Sequence, residues 1–380
     1  MKIGIVTLWH ISDNYGQLLQ SYALQTYLRN LGHEPFLIRH NSSGYSLYDG
    51  CFLLLRAIKN PCAIFKRQGV DCDVKSSVVL QKFEKFKEEF ISSTDRIYNS
   101  IKELRADPPQ AEIYICGSDQ VWGNTYLQKH KAAHYLDFGD SKTLRIAYAA
   151  SAGGRPFHRF NLGRLKKALA NLDAIGVREQ SLKEVCDDLG FSASRVVVDP
   201  TLLLPLDHYL DLCGGVDIDT QMPYIFVYVV NIKTPEELYF DKIKHYADSK
   251  QNLSIKMICS SGYFDVSDVL LQYSNISASP QEWLSYIHNA RSVVTTSYHG
   301  VLFCIKMNRP FLVVLLQENV VSNGRVTELL DKLGLQDRIF DPTLSVEDQM
   351  DRSINWCDVN KRLDELIDES ISFLQPYLNR

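Results

Sequence analysis

The chain is predicted to be α/β, built as two doubly wound, mostly parallel domains facing across a cleft, with a long closing helix. Three observations predict this. Short apolar, β-rich runs alternate with helix-length amphipathic segments. Several of those runs end in a polar step carrying Gly, Ser, Asp, Arg or His, at the position where open α/β sheets bind ligands. With 380 residues, the chain exceeds the usual size of one domain. The expected divisions are a first domain at 1–205, a linker at 206–222, a second domain at 223–350 and a closing helix at 351–380.

The first element is the apolar run 3–9, which follows Met1-Lys2 too directly for a signal peptide's layout and reads as a strand. The polar loop holding Asn14, Tyr15, Gly16 and Gln17 follows it. A helix over 18–31 has Leu18, Tyr22, Leu24, Leu28 and Leu31 at threes and fours, and Gly32 stops it. Residues 34–39 begin the next strand. Asn14 and Gly16 suit a tight turn, and the loop's place at a strand end suits a ligand. Residues 41–110 are mostly helical. The segment 78–90 sets Phe83, Phe86 and Phe90 on one face, as core. The run 111–116 is a buried strand ending in Gly117-Ser118-Asp119-Gln120-Val121-Trp122, where Ser118 or Asp119 either caps a helix or faces the cleft.

A strand at 144–150 closes on Ser151-Ala152-Gly153-Gly154. After a basic amphipathic helix at 160–172, the strand 174–177 ends in Arg178-Glu179. A guanidinium at a strand end needs a partner if buried, Glu179 or another carboxylate. In a cleft it is also a bidentate clamp for phosphate or carboxylate. The strand 196–198 is closed by Asp199-Pro200-Thr201. The second domain begins with a strand at 224–230, a helix at 236–250 and a strand at 254–259. Pro280 opens a helix. The apolar run 292–294 then enters Thr295-Thr296-Ser297-Tyr298-His299-Gly300 and a helix start. The free N–H groups and dipole of that helix make an anion site, and His299 stands in it as a titratable group. A capping or packing role for His299 is the alternative. A strand at 310–316, Arg325 just ahead of a helix at 326–333, and a helix at 356–378 complete the chain.

Composition narrows the function. Hydrophobic residues make up 45% and charged residues 23%, which fits a soluble chain with a large core. A net charge of −4 argues against a general nucleic-acid surface but not against a local basic cleft. The nine cysteines are odd in number and form no CxxC pair, so no metal site is expected. A reducing cytoplasm fits them best, with Cys116, Cys259 and Cys304 as core thiols. No run approaches the roughly 18 apolar residues of a membrane span. The apolar stretch 51–65 is interrupted by Arg56, Lys59 and Pro61. It reads first as a packed helix and second as a membrane-facing patch.

Taken together, the strand ends resemble the polysaccharide pyruvyl transferase family over nearly the whole chain. The resemblance rests on Asn14-Tyr15-Gly16 with Leu19-Gln20-Ser21-Tyr22-Ala23-Leu24-Gln25, and on Cys116 to Trp122. Tyr148-Ala149-Ala150-Ser151, Val177-Arg178-Glu179, Asp199-Pro200-Thr201, Ser297-Tyr298-His299-Gly300 and Arg325 with Leu329-Leu330 complete it. Tyr298 stands where Phe is frequent, and Ala152 where a bulky residue is common. The resemblance implies a two-domain fold similar to GT-B glycosyltransferases. It implies phosphoenolpyruvate as donor and a sugar hydroxyl as acceptor, giving a pyruvate ketal in capsule, exopolysaccharide or cell-wall glycan synthesis.

That chemistry assigns expected roles. The donor is an anion, to be gripped by Arg178 from the first domain and by Ser297, Tyr298, His299 and Gly300 from the second, with Arg325 as a further phosphate contact. His299 is the expected proton carrier, Asp119 the second candidate, and Arg178 the electrostatic clamp. Asn14, Tyr15, Gly16, Gln17, Ser118 and Gln120 are expected on the acceptor side. No cofactor or metal is demanded. A lipid-linked acceptor would place the protein in the cytoplasm at the inner face of the membrane. Two other readings share the architecture: a GT-B glycosyltransferase using a nucleotide sugar, and a glycan-binding protein without catalysis.

Overall fold

The computed structural model describes residues 1–9, 13–41, 74–123, 129–154, 157, 159–232, 234–250, 252–260, 273, 276–316 and 320–379. The stretch 51–65 lies outside the described residues.

Two all-parallel sheets form the frame. The first joins β1 (Lys2–Val6), β2 (Glu34–Leu37), β3 (Ile113–Cys116), β4 (Leu144–Ala150), β5 (Ala174–Val177) and β6 (Arg195–Val196) in the order β2-β1-β3-β4-β5-β6. The second joins β7 (Tyr224–Val230), β8 (Ser254–Ser260), β9 (Ser292–Thr295) and β10 (Phe311–Val313) in the order β10-β9-β7-β8. The central strands are apolar on both faces because helices cover both. In each sheet the order reverses once, between β1 and β3 and between β7 and β9. Chain leaving neighbouring strands at such a point diverges and opens a crevice. Asn14 and Ser118 follow one reversal and His299 follows the other, so the two crevices supply opposite walls of one GT-B-like cleft.

Local chemistry fixes the helix that leaves β1. It spans Tyr15–Asn30 and starts ahead of the expected residue 18 because the Asn14 side chain accepts from Gln17 N at 3.1 Å. Tyr15 is wedged between the domains. Its ring stacks on Trp283 at 5.4 Å and meets Phe83 and Tyr228 edge-on, and its hydroxyl donates to the Ala278 carbonyl at 3.0 Å. Phe83 and Phe86 are buried there, as the one-faced aromatic pattern predicts. Lys82 reinforces the seam, donating to Glu282 Oε2 at 2.6 Å and to the Ser277 carbonyl at 2.7 Å.

Other elements differ from expectation for identifiable reasons. The region read as a linker contains a helix, Leu206–Cys213, held by buried Tyr209, whose ring meets Phe303 edge-on at 5.0 Å. β6 stops at Val196 because Val198 N donates to Ser370 Oγ at 2.9 Å rather than to a strand. The helix carrying Arg325 begins at Val320, so Arg325 lies inside it. Cys116 and Cys304 are buried thiols, whereas Cys259 is half-buried on edge strand β8. The final helix, Trp356–Leu378, returns to the first domain, where Phe373 packs over Gly176 and against Tyr148. Among the described residues, no helix is long and apolar enough to cross a membrane.

Candidate active site

The site is organised on a buried ion pair. Asp199 caps the short helix Pro200–Leu203, its Oδ1 accepting from Thr201 N at 3.1 Å and Thr201 Oγ1 at 2.9 Å. Its Oδ2 accepts from Arg178 Nη1 at 2.7 Å and from Ser118 Oγ at 2.9 Å. The side chains of Asp199 and Arg178 are wholly shielded from solvent. Burial alone would raise the Asp199 pKa; the charges of His299 and Arg178 overcome it and hold the carboxyl well below the usual range. Burial likewise opposes charge on Arg178, and Asp199 foremost reverses that, leaving the guanidinium more firmly protonated. Arg178 Nη2 reaches Asp119 Oδ1 at 3.4 Å, so the two Asp carboxylates hold it by hydrogen bonds, while the adjacent Glu179 adds a weaker electrostatic contribution.

His299 arrives from the other domain. Ser297 caps the helix Tyr298–Lys306 through Gly300 N at 3.3 Å. That lifts the imidazole across the cleft until Nε2 stands 3.5 Å from Asp199 Oδ2. At this separation Nε2 and the carboxylate form an ion pair when the imidazole is protonated, and among the described residues this buried Nε2 makes no hydrogen bond. Gly16 lies against the other side of the ring: a Cβ there would sit 2.2 Å from Cγ and Nδ1 of His299. Only a residue lacking that carbon lets the first helix approach so closely.

Tyr298 links the remaining cations. The Arg178 guanidinium lies 4.7 Å and the Arg325 guanidinium 5.4 Å from its ring centroid. Burial and then the positive charge of Arg178 lower the pKa of Arg325. Gln120, with its amide oxygen turned towards the cleft, accepts from Arg325 at 3.1 and 3.3 Å and so joins the domains. Glu328, one turn beyond Arg325, accepts from Gln180 N at 2.8 Å. This convergence of two guanidiniums and an imidazole can grip a small multiply charged anion. Among the described residues, no group of three or more His, Cys, Asp or Glu is placed to hold a metal ion.

The family model for polysaccharide pyruvyl transferase matches residues 14–317. The chain belongs to that family. No curated protein matches the sequence. Among solved structures, UDP-N-acetylglucosamine 2-epimerase from Rickettsia bellii is similar at 11% identity and a TM-score of 0.47, covering 100% of this chain and 96% of that one. UDP-GlcNAc 2-epimerase from Methanocaldococcus jannaschii, in complex with UDP-GlcNAc and UDP, is similar at 14% identity and a TM-score of 0.44, covering 96% and 99%. The spinosyn rhamnosyltransferase SpnG is similar at 12% identity and a TM-score of 0.41, covering 100% and 99%.

In this pyruvyl transferase family member, the expected residues divide by what they touch. His299, Arg178, Asp119, Tyr298, Arg325 and Gln120 converge, and Gly16 abuts them. Tyr15, expected on the acceptor side, is instead a buried wedge with its hydroxyl occupied. Ser118 is fully buried and holds Asp199. Gln17 donates to the Leu8 carbonyl at 3.0 Å, and Asn14 is the helix cap. Ser297 and Gly300 satisfy one another, which occupies one of the N–H groups expected to face an anion. Asp199 was not expected in the site, although Asp199-Pro200-Thr201 belongs to the family resemblance. A residue followed by Pro at a helix start reads as a cap, and it is one, with its second oxygen serving the cleft.

Proposed function

We propose that this protein transfers the enolpyruvyl group of phosphoenolpyruvate to two hydroxyls of one sugar, forming a pyruvate ketal and releasing phosphate. The observation carrying this reading is the meeting of His299 with the Arg178–Asp199 pair across the cleft. A donor bearing phosphate and carboxylate needs cationic partners on two sides, which Arg178 and Arg325 offer. Its methylene carbon must be protonated, and the His299 imidazole, kept beside the Asp199 carboxylate, is suited to that step. Positive character then develops at the neighbouring carbon. A sugar hydroxyl attacks it, phosphate departs, and the second hydroxyl closes the ketal. Asp119 is the second candidate for proton transfer. The chemistry involves no change of oxidation state and requires no metal or cofactor. In this reading the acceptor is a glycan under assembly for capsule, exopolysaccharide or cell wall, carried on a lipid at the cytoplasmic face of the membrane.

The test is phosphate release from phosphoenolpyruvate with a panel of lipid-linked and synthetic β-galactosides and hexosamines. Release that requires an acceptor and falls by roughly 10²–10⁴ in His299→Ala is the expected result. Release at the wild-type rate from that variant would remove His299 from the chemistry. Turnover of nucleotide sugars in place of phosphoenolpyruvate would replace the reading altogether.

A further inference from the structure

Glu179 is a buried carboxylate that the steps above leave unused. It follows β5 and is 1% exposed. One oxygen, Oε1, accepts from Ser151 Oγ at 2.9 Å and from Ala152 N at 2.7 Å, which fixes the carboxylate against the end of β4. The other, Oε2, is buried and makes no hydrogen bond among the described residues. Glu179 acts electrostatically on Arg178, Arg325 and Tyr298, so it belongs to the same charged cluster.

Among the described residues, Arg178 Nε, His299 Nε2 and Glu179 Oε2 of this cluster make no hydrogen bond, and they differ in kind. Arg178 Nε and His299 Nε2 can each present a proton to an anion, whereas Glu179 Oε2 can only accept one in its ionised form. Phosphoenolpyruvate has no O–H or N–H donor when ionised, so it cannot satisfy a carboxylate oxygen and would be repelled by it. The substrate with O–H groups to give is the acceptor sugar. An unsatisfied buried acceptor atom is costly, and a sugar hydroxyl supplies what it lacks.

We propose that Glu179 is a catalytic residue that receives the proton of the attacking acceptor hydroxyl at Oε2. The inference rests on the ketal-forming reading above. In the step, the hydroxyl oxygen's lone pair forms the new C–O bond to the donor's central carbon while its proton passes to Glu179. The donor's methylene carbon has gained one proton from His299. The bond from the central carbon to the phosphate oxygen then breaks and its electron pair leaves with the phosphate; the second hydroxyl forms the other C–O bond, and its proton passes to the released phosphate. Glu179 then returns its proton to the His299 side through solvent, so the enzyme ends as it began and no electrons are exchanged with an outside reagent.

Glu179→Gln tests this, because the amide oxygen preserves the bonds to Ser151 and Ala152 while the other position can no longer take a proton. The expected result is phosphoenolpyruvate binding no weaker than in the wild type and a folded protein, with kcat for acceptor-dependent phosphate release down roughly 10²-fold or more. Glu179→Ala should lose the same activity and regain part of it with added formate. Wild-type kcat in Glu179→Gln, or a rise confined to the acceptor KM, would overturn the role. If Glu179→Ala does not fold, Glu179→Gln carries the decision alone. The wild type separates the two claims: if it releases no phosphate with any acceptor, the ketal reading itself falls and takes this role with it. An active wild type with an active Glu179→Gln removes Glu179 only.

Discussion

Gly16→Ala isolates the position of His299 from its chemistry. The added methyl would begin 2.2 Å from the imidazole, and ordinary contact starts near 3.4 Å, so the ring must retreat by about 1.2 Å. Gly16 lies in the first turn of its helix, where alanine is favoured over glycine by about 0.5–1 kcal/mol. That gain offsets part of the cost of displacing one side chain, so the fold should survive. Activity should not: a misplacement of about 1 Å in a reacting group costs on the order of 10²-fold in rate. The assay is steady-state phosphate release from phosphoenolpyruvate beside a urea unfolding curve. Gly163→Ala is the control, in the helix Leu162–Leu169, where an added Cβ meets nothing within 4 Å. It should gain about 0.5–1 kcal/mol and keep full activity. Wild-type kcat in Gly16→Ala would refute the claim that this contact sets the imidazole's place.

Asp199→Asn should strand a buried guanidinium whose other carboxylate, Asp119, lies at 3.4 Å, and cost roughly 3–5 kcal/mol in denaturant unfolding. Because the folded-state pKa of Asp199 is depressed, its stabilisation is present above the unfolded carboxylate value and is lost as pH falls below it. An acid-unfolding profile shared by the wild type and Asp199→Asn would contradict this. Lys306 donates to the Leu202 carbonyl across the domain seam at 3.1 Å, and burial lowers its pKa to about 8. The unfolded chain therefore binds more protons than the folded one between about 8 and the ordinary lysine value near 10.4, so stability should rise with pH across that window. Lys306→Met should lack this rise when unfolding is followed at several pH values.

The parts of the fold set by local pattern were legible in the sequence. Apolar runs ending in polar steps located most strands, and the 280 and 356 helix starts were marked by Pro280 and by a sustained amphipathic period. Tertiary competition decided the rest. Val198 reads as strand from its neighbours, yet its N–H finds Ser370 on a helix that lies 172 residues later. Tyr15 reads as a loop residue with a free hydroxyl, but its ring is worth more between Trp283 and Phe83 than in the cleft. The charged members of the site were readable because burying Arg or His at strand ends demands a reason. The glycine behind His299 was readable only as a turn former, since nothing in a local window records which side chain will arrive from the second domain.

The closing helix returning to the first domain has a mechanical consequence. The chain crosses the cleft twice, once in each direction, so the second domain is carried on two struts rather than swinging on one. Two attachment points resist twisting of one domain against the other better than a single linker would, and the shared core around Tyr15, Trp283 and Phe303 adds to that resistance. Both attachments, with the packed seam between them, hold the second domain where His299 stands beside Gly16.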